Sequence, residues 1–220
     1  MIEVCVFDMD GLLVESESRW RQAETEVAAS VGLALSRADL EATMGMRMRE
    51  VAQRWFERQP WTGPGTDEVA DRVVDRVIEL TEGAVPLPGV LDTLDLCADR
   101  ELRLAVCSSS DVRLIDATLE RLGIAGRFEV VHSAEDDPHG KPHPEPYLRT
   151  AARLGVSARA CVAFEDSVSG AISARAASMR VVAVPDPDAD RARFGFCDLV
   201  LASLRDFTAS HLTALGAPGR

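Results

Sequence analysis

The feature that most constrains this chain is a short apolar strand that ends in two acids. Residues 2–7, Ile-Glu-Val-Cys-Val-Phe, are nearly all apolar and β-branched or aromatic, the pattern of a strand buried on both faces. The strand runs directly into Asp8-Met9-Asp10-Gly11. Open α/β sheets put their chemistry at the carboxyl edge of such strands, so the two carboxylates mark a candidate site. One can attack an electrophile such as phosphorus and carry a covalent intermediate. The other, two residues on, can give a proton to a leaving group and take one from water. Two acids this close repel when ionised, which calls for a divalent cation between them. Gly11 lets the backbone turn sharply after the second acid.

Beyond Ser16 the apolar period becomes helical. Helices are expected over residues 17–31, 38–44 and 48–56, with Gly32 and Gly45 as breaks. Thr66 is expected to cap a fourth, with Val69, Val73, Val77 and Leu80 on one face. Pro86-Leu87-Pro88-Gly89 ends this block. Strands are then expected over 102–107, 128–131, 161–164, 180–184 and 199–201, alternating with helices over 90–98, 112–122, 144–154 and 168–177. That alternation implies an α/β fold with a Rossmann-like, doubly wound parallel sheet, to which the first strand belongs. The expected organisation is a catalytic core of residues 1–14 and 85–220 with an inserted helical cap domain over 15–84. Hinges are expected near 12–17 and 82–88, with the cap closing to exclude water. The tail beyond Leu215 reads as loose.

The later strands also end in polar residues. Ser108-Ser109-Ser110 offers hydroxyls and backbone amides for phosphoryl oxygens at the start of a helix, which Ser110 or Asp111 would cap. Lys141 lies in Gly140-Lys141-Pro142-His143-Pro144 and is the single lysine among 24 basic residues. A chain that otherwise uses arginine points here to a place that requires a compact ammonium. Such a group can neutralise an attacking carboxylate and a transferring phosphoryl group. Glu165-Asp166-Ser167 brings a second acidic pair to the same edge, where hard oxygen ligands and a phosphate suit Mg²⁺. His139 and His143 are four apart, but the prolines beside them exclude a helical metal pair, so both read as loop residues and not ligands.

Composition narrows the partners. The formal charge is −12 with no basic tract, which argues against nucleic acid. The five cysteines, far apart in sequence, read as buried free thiols. With no signal peptide and no apolar run long enough for a membrane, the expectation is a cytoplasmic protein, by default a monomer, acting on a small phosphorylated metabolite.

Asp8-x-Asp10-Gly11 with Ser16, then Ser108, Lys141 and Glu165-Asp166, together resemble the four motifs of the haloacid dehalogenase superfamily, in order and each at a strand end. The resemblance implies that Asp8 is the nucleophile and forms an aspartyl-phosphate. It implies that Asp10 is the general acid and base, with its backbone carbonyl on Mg²⁺. Asp8 and Asp166 would supply side-chain ligands, Glu165 would act directly or through water, and Ser108 and Lys141 would hold the phosphoryl group. Gly11, Leu12, Ser109 and Ser110 are expected to contact substrate. In the insert so are Gly45, Arg47 and Arg49, although Arg49 reads equally well as a solvated helix residue.

An insert directly after the first motif is similar to the helical-cap subclass of β-phosphoglucomutase and small sugar phosphatases. A true dehalogenase lacks the second acid of the first motif, and phosphonate-cleaving relatives need a cap lysine, absent here. The mutases resembled here carry a histidine where this chain has Trp20, and also a cap lysine. Glu15 stands where an aspartate is usual at the hinge. Asp8 to Ser16, the cap stretch Arg58-Gln-Pro-Trp-Thr-Gly-Pro64 and Glu165 to Gly170 look like the hexitol and 2-deoxyglucose-6-phosphate phosphatase branch. That branch implies a Mg²⁺-dependent phosphatase of hexose or hexitol phosphates. The alternatives are a phosphosugar mutase on the same scaffold and a phosphatase for another small metabolite such as phosphoglycolate. A receiver-type phospho-acceptor fits less well, because receivers have neither the second acid nor a helical insert.

Overall fold

A computed structural model describes residues 2–216. The first strand, β1 (Val4–Phe7), is followed by four helices: α1 (Glu17–Ser30), α2 (Arg37–Glu41), α3 (Met48–Arg58) and α4 (Thr66–Leu80). The chain then alternates through α5 (Val90–Ala98), β2 (Arg103–Ser108), α6 (Val112–Arg121), β3 (Val130–Ser133), α7 (Glu145–Leu154), β4 (Cys161–Glu165), α8 (Val168–Ala176), β5 (Arg180–Ala183) and β6 (Leu199–Val200), ending in α9 (Ala209–Gly216). All strand pairs are parallel, in the order β3-β2-β1-β4-β5-β6. The α/β fold is the doubly wound one expected. Its order reverses at β1, and a reversal of this kind opens a crevice at the carboxyl ends of the strands.

The alternation of side chains along β1 builds a core on each face of the sheet. Val4 and Val6 pack with Ala105, Cys107, Tyr147 and Ala163 on the face covered by α7 and α8. Cys5 and Phe7 pack on the other face with Val106 and Phe164, and this cluster continues into the insert through Ala23, Val51, Trp55 and Val73. Two of the insert helices have an apolar stripe at the spacing a helix needs: Met48, Val51, Ala52 and Trp55 on α3, and Val69, Val73 and Val77 on α4. The two linkers to the insert run side by side. Val14 pairs with Pro86, and Leu87 N–H donates to Leu13 O at 3.0 Å.

Several boundaries differ from expectation. Gly65, not Thr66, is the N-cap of α4, and no side chain caps it. Asp67 and Glu68 in the first turn complement the helix dipole there. β3 begins two residues later than expected. A 3-10 turn over Ala125–Arg127 precedes it, and Phe128 instead packs its ring edge-on against Phe7 at 6.3 Å. Asp111 caps α6 and Ser167 caps α8. Glu15 has a clear role: its carboxylate accepts from Ser18 N–H and Oγ, so it caps α1 where Ser16 does not. Among the described residues the five cysteines are free, four of them buried and Cys197 half-buried. Far apart in sequence, Cys5 and Cys97 bring their sulfurs within 3.5 Å. The expected loose tail beyond Leu215 falls, after the close of α9, outside the described residues.

Candidate active site

The register of the sheet brings the acids together. Phe7 is level with Val106 on one side and Phe164 on the other, so the next residues along, Asp8, Cys107 and Glu165, form one row at the carboxyl edge. Lys141 reaches this row from the loop before α7. Its Nζ donates to Asp8 Oδ1 at 2.7 Å, to Glu165 Oε1 at 2.6 Å and to the Cys107 carbonyl at 2.9 Å. Three acceptors around three N–H donors explain why this one basic position is a lysine: a planar guanidinium cannot present its donors in that arrangement. Tyr147 donates to the same Glu165 oxygen at 2.6 Å, and Ser167 donates to the other at 3.1 Å. Glu165 is fully buried with both oxygens taken by protein donors, so its direct effect is to hold Lys141.

Burial of so many charges sets their protonation. Burial pushes the Asp8 carboxyl up to about 7; Lys141 opposes this, while Glu165 and Asp10 add to it. Burial, with Asp8 and Glu165 nearby, also drives Asp166 well up. Burial works against the charge on Lys141, but Asp8 and Glu165 outweigh it and raise its pKa. One ammonium thus faces more negative charge than it can balance.

Asp10 is held by two donors. Ser110 Oγ donates to Oδ2 at 2.7 Å, and the Trp20 indole N–H, from α1 of the insert, donates to Oδ1 at 3.0 Å. Sequence reasoning treated Trp20 only as a departure from a mutase histidine; its partnership with Asp10 depends on how α1 crosses the sheet edge. Ser108 is buried, and its Oγ accepts from Ser110 N–H at 3.1 Å.

Asp8, Asp10, Ser108 and Lys141 open onto a cavity of about 660 Å³ between the sheet edge and the insert. Gly11, Leu12, Ser109, Ser110, Gly45 and Asp166 also line it. Arg47 and Arg49 do not, contrary to their expected place against substrate. Arg47 turns towards the core and donates to the carbonyls of Ala134, Glu135 and Asp137 in the loop after β3. Arg49 pairs with Asp67 at 3.1 Å and Glu135 at 3.3 Å. Met48, between them, does line the cavity; Arg47 leaves it from the extended N-cap position of α3, and Arg49 from the next position along the helix. Sequence reasoning missed Glu24, which lines the cavity from α1.

His139 and His143 lie in the loop before α7, as the prolines require, and their rings stack at 4.4 Å. With Glu145 they bring three possible donor groups within 4.8 Å, a grouping the spacing did not reveal. Glu145 already accepts from His139 at 2.9 Å and Arg149 at 3.0 Å.

A family model for haloacid dehalogenase-like hydrolases matches residues 2–178. The chain belongs to this family. Among its relatives, hexitol phosphatase B of Escherichia coli strain K12 is 43% identical over 214 residues, 96% of each chain. Fructose-1-phosphate phosphatase YqaB of the same strain is 32% identical over 182 residues, 81% of this chain and 94% of the other. Among solved structures, β-phosphoglucomutase from Clostridium difficile superposes with a TM-score of 0.87 at 22% identity, over 98% of this chain and 97% of its own, which shows a shared fold.

The donor set of this haloacid dehalogenase-like hydrolase fits a divalent cation. Asp8, Glu165 and Asp166 bring carboxylate oxygens within 4.8 Å of one another, all of them hard ligands. Gly11 sits at φ +74°, and a Cβ there would collide with the Asp166 carboxylate, so the glycine leaves that side chain its place. Burial raises the pKa of Asp8 and Asp166 and the neighbouring carboxylates add to it, and a bound cation would offset both. No helix among the described residues is long and apolar enough to cross a membrane.

Proposed function

We propose that this protein is a Mg²⁺-dependent phosphatase that hydrolyses small sugar phosphate monoesters, of the hexose or hexitol class, through an aspartyl-phosphate. The observation that carries the reading is the row Asp8–Lys141–Glu165 at one wall of a cavity, with Asp10 fixed beside it. The names of the relatives support the substrate class. A reducing, cytoplasmic setting and a monomer go with this reading, and the unpaired cysteines suit them.

An Asp8 carboxylate oxygen attacks phosphorus. The Asp8–phosphorus bond forms as the ester P–O bond breaks, and the leaving alkoxide takes its proton from Asp10. Asp10 then removes a proton from water, which attacks phosphorus, and the Asp8–phosphorus bond breaks to release inorganic phosphate. Lys141 favours the ionised form of Asp8 and neutralises charge on the phosphoryl oxygens, while the Ser108 hydroxyl and the Ser109 amide offer them hydrogen bonds. Asp8, Asp166 and the Asp10 backbone would hold Mg²⁺, with Glu165 behind them; when bound it supplies further charge neutralisation at the phosphoryl group.

Phosphate release by the purified protein with Mg²⁺, across hexose, hexitol, pentose and glycolate phosphates and β-glucose 1-phosphate, tests the reading. Release from hexose or hexitol phosphates is expected, lost in chelator and in Asp8→Asn. Conversion of β-glucose 1-phosphate to the 6-phosphate without release would make the protein a mutase, and full activity in Asp8→Asn would remove the nucleophile.

A further inference from the structure

We propose that Glu24 is the specificity-determining residue of the cavity, a carboxylate that accepts hydrogen bonds from the hydroxyls of a neutral polyol chain and turns away substrates with a second anionic group. This rests on the phosphatase reading above and deepens it.

Glu24 lies on α1 and lines the same cavity as Asp8, Asp10 and Lys141. Most acids around it are engaged. Glu17 pairs with Arg21 at 2.9 Å and Glu41 with Arg37 at 2.6 Å, which also occupies two of the cavity's cations. Glu15 caps α1. Glu24 makes no hydrogen bond and no ion pair among the described residues, although it is only partly exposed. Its carboxylate oxygens are open to the cavity, with no protein donor on them, and so are free to accept a ligand's hydrogen bonds. Burial pushes its pKa up to about 7, so its charge is complete, and its selection by charge strongest, above that pH.

Position then selects the ligand chemistry. Trp20 touches Asp10, at the point where the ester oxygen must leave. Glu24 is one helical turn further along α1, about 6 Å along the axis at 1.5 Å per residue. A hydroxyl two or three carbons beyond the ester oxygen falls within such a reach. Carboxylate oxygens accept and do not donate, so they match the O–H groups of a hexose or hexitol. The same charge repels the carboxylate of a phosphoglycolate and the second phosphate of a bisphosphate, so Glu24 selects by exclusion as well as by contact. Bisphosphate activators of a mutase would meet that same barrier.

The test is Glu24→Leu and Glu24→Gln, each assayed with sorbitol 6-phosphate, 2-phosphoglycolate and acetyl phosphate, which has no hydroxyl. In Glu24→Leu the ratio of kcat/KM for sorbitol 6-phosphate to that for acetyl phosphate should fall about ten- to hundredfold, the worth of a hydrogen bond to a charged group. Glu24→Gln should recover part of that ratio, and both variants should raise the ratio of 2-phosphoglycolate to sorbitol 6-phosphate. Equal losses on every substrate, or no change in any ratio, would overturn the proposal. Binding gives a second arm that needs no turnover. Calorimetry on Asp8→Asn and on Asp8→Asn with Glu24→Leu should show weaker binding of sorbitol 6-phosphate in the double variant, relative to inorganic phosphate. Wild-type protein that hydrolyses no ester would defeat the phosphatase reading, while this binding comparison would still decide the role of Glu24.

Discussion

At the scale of single residues, the site works by holding a few groups in fixed places. Trp20 is the clearest case. It spans from insert to sheet edge through one N–H, and with Ser110 it fixes the plane of the Asp10 carboxyl. Trp20→Phe keeps the ring and removes the donor. Steady-state kinetics should then show kcat lower by about tenfold with KM little changed, the pattern of lost positioning at the reacting group. The acids themselves predict a pH dependence. The folded pKa of Asp8, raised to about 7, lies above its unfolded value of about 4. The folded protein therefore binds a proton more tightly than the unfolded chain. In the absence of metal the contribution of Asp8 to stability should be lost progressively as pH rises from about 4 to about 7, a loss absent in Asp8→Asn. Mg²⁺ requires the ionised carboxylate, so the rise in Tm that it produces should be small at pH 5 and full above pH 7. Thermal melts with and without Mg²⁺ check this, and a Mg²⁺ effect that shrinks with rising pH would contradict it.

At the scale of elements, the insert is clasped to the core by arginines, among them Arg47, which sequence reasoning had assigned to substrate. Arg47, the N-cap residue of α3, bonds the carbonyls of the loop after β3. The same side chain lies against Gly140, where a Cβ would come within 2.9 Å of its Nε, so a larger residue before Lys141 would push that side chain aside. Arg113 of α6 reaches Asp75 of α4 at 2.8 Å and Asp71 at 3.3 Å. These exposed pairs are individually weak, but the Arg47 bonds are half-buried and close to Lys141. Arg47→Ala should lower kcat/KM by about tenfold through looser closure and speed amide exchange over residues 134–137, with a loss of stability of about 1–2 kcal/mol. Unchanged exchange in that segment would dissociate Arg47 from closure. Motif spacing could not reveal this, because substrate contact and clasp differ only in which way the Arg47 side chain leaves the extended N-cap of α3.

At the scale of the whole molecule, the chain carries a formal charge of −12 and the site is built for an anion. The long-range field opposes encounter, and only the local cluster attracts. Screening by salt weakens the long-range part first. The kcat/KM for a dianionic phosphate ester should therefore rise as ionic strength increases from about 10 to about 150 mM. Stopped-flow or steady-state rates under subsaturating substrate measure this, and a fall with salt would mean that local positive charge controls encounter.

The sequence by itself determined the sheet, the order of its strands' chemistry and the identity of the residues at its edge. Period-two and helical patterns are local, and a strand that ends in Asp8-x-Asp10 carries its own signal, as does a solitary lysine among arginines. Tertiary structure decided which side chains meet. The parallel register aligned Asp8 with Glu165, and the crossing of α1 over the sheet edge brought Trp20 to Asp10. Arg47 and Arg49 turned from the cavity to partners in the loop after β3, and Glu24 was left there without a partner. These outcomes depend on the relative placement of elements far apart in the chain, and local periodicity carries no information about it.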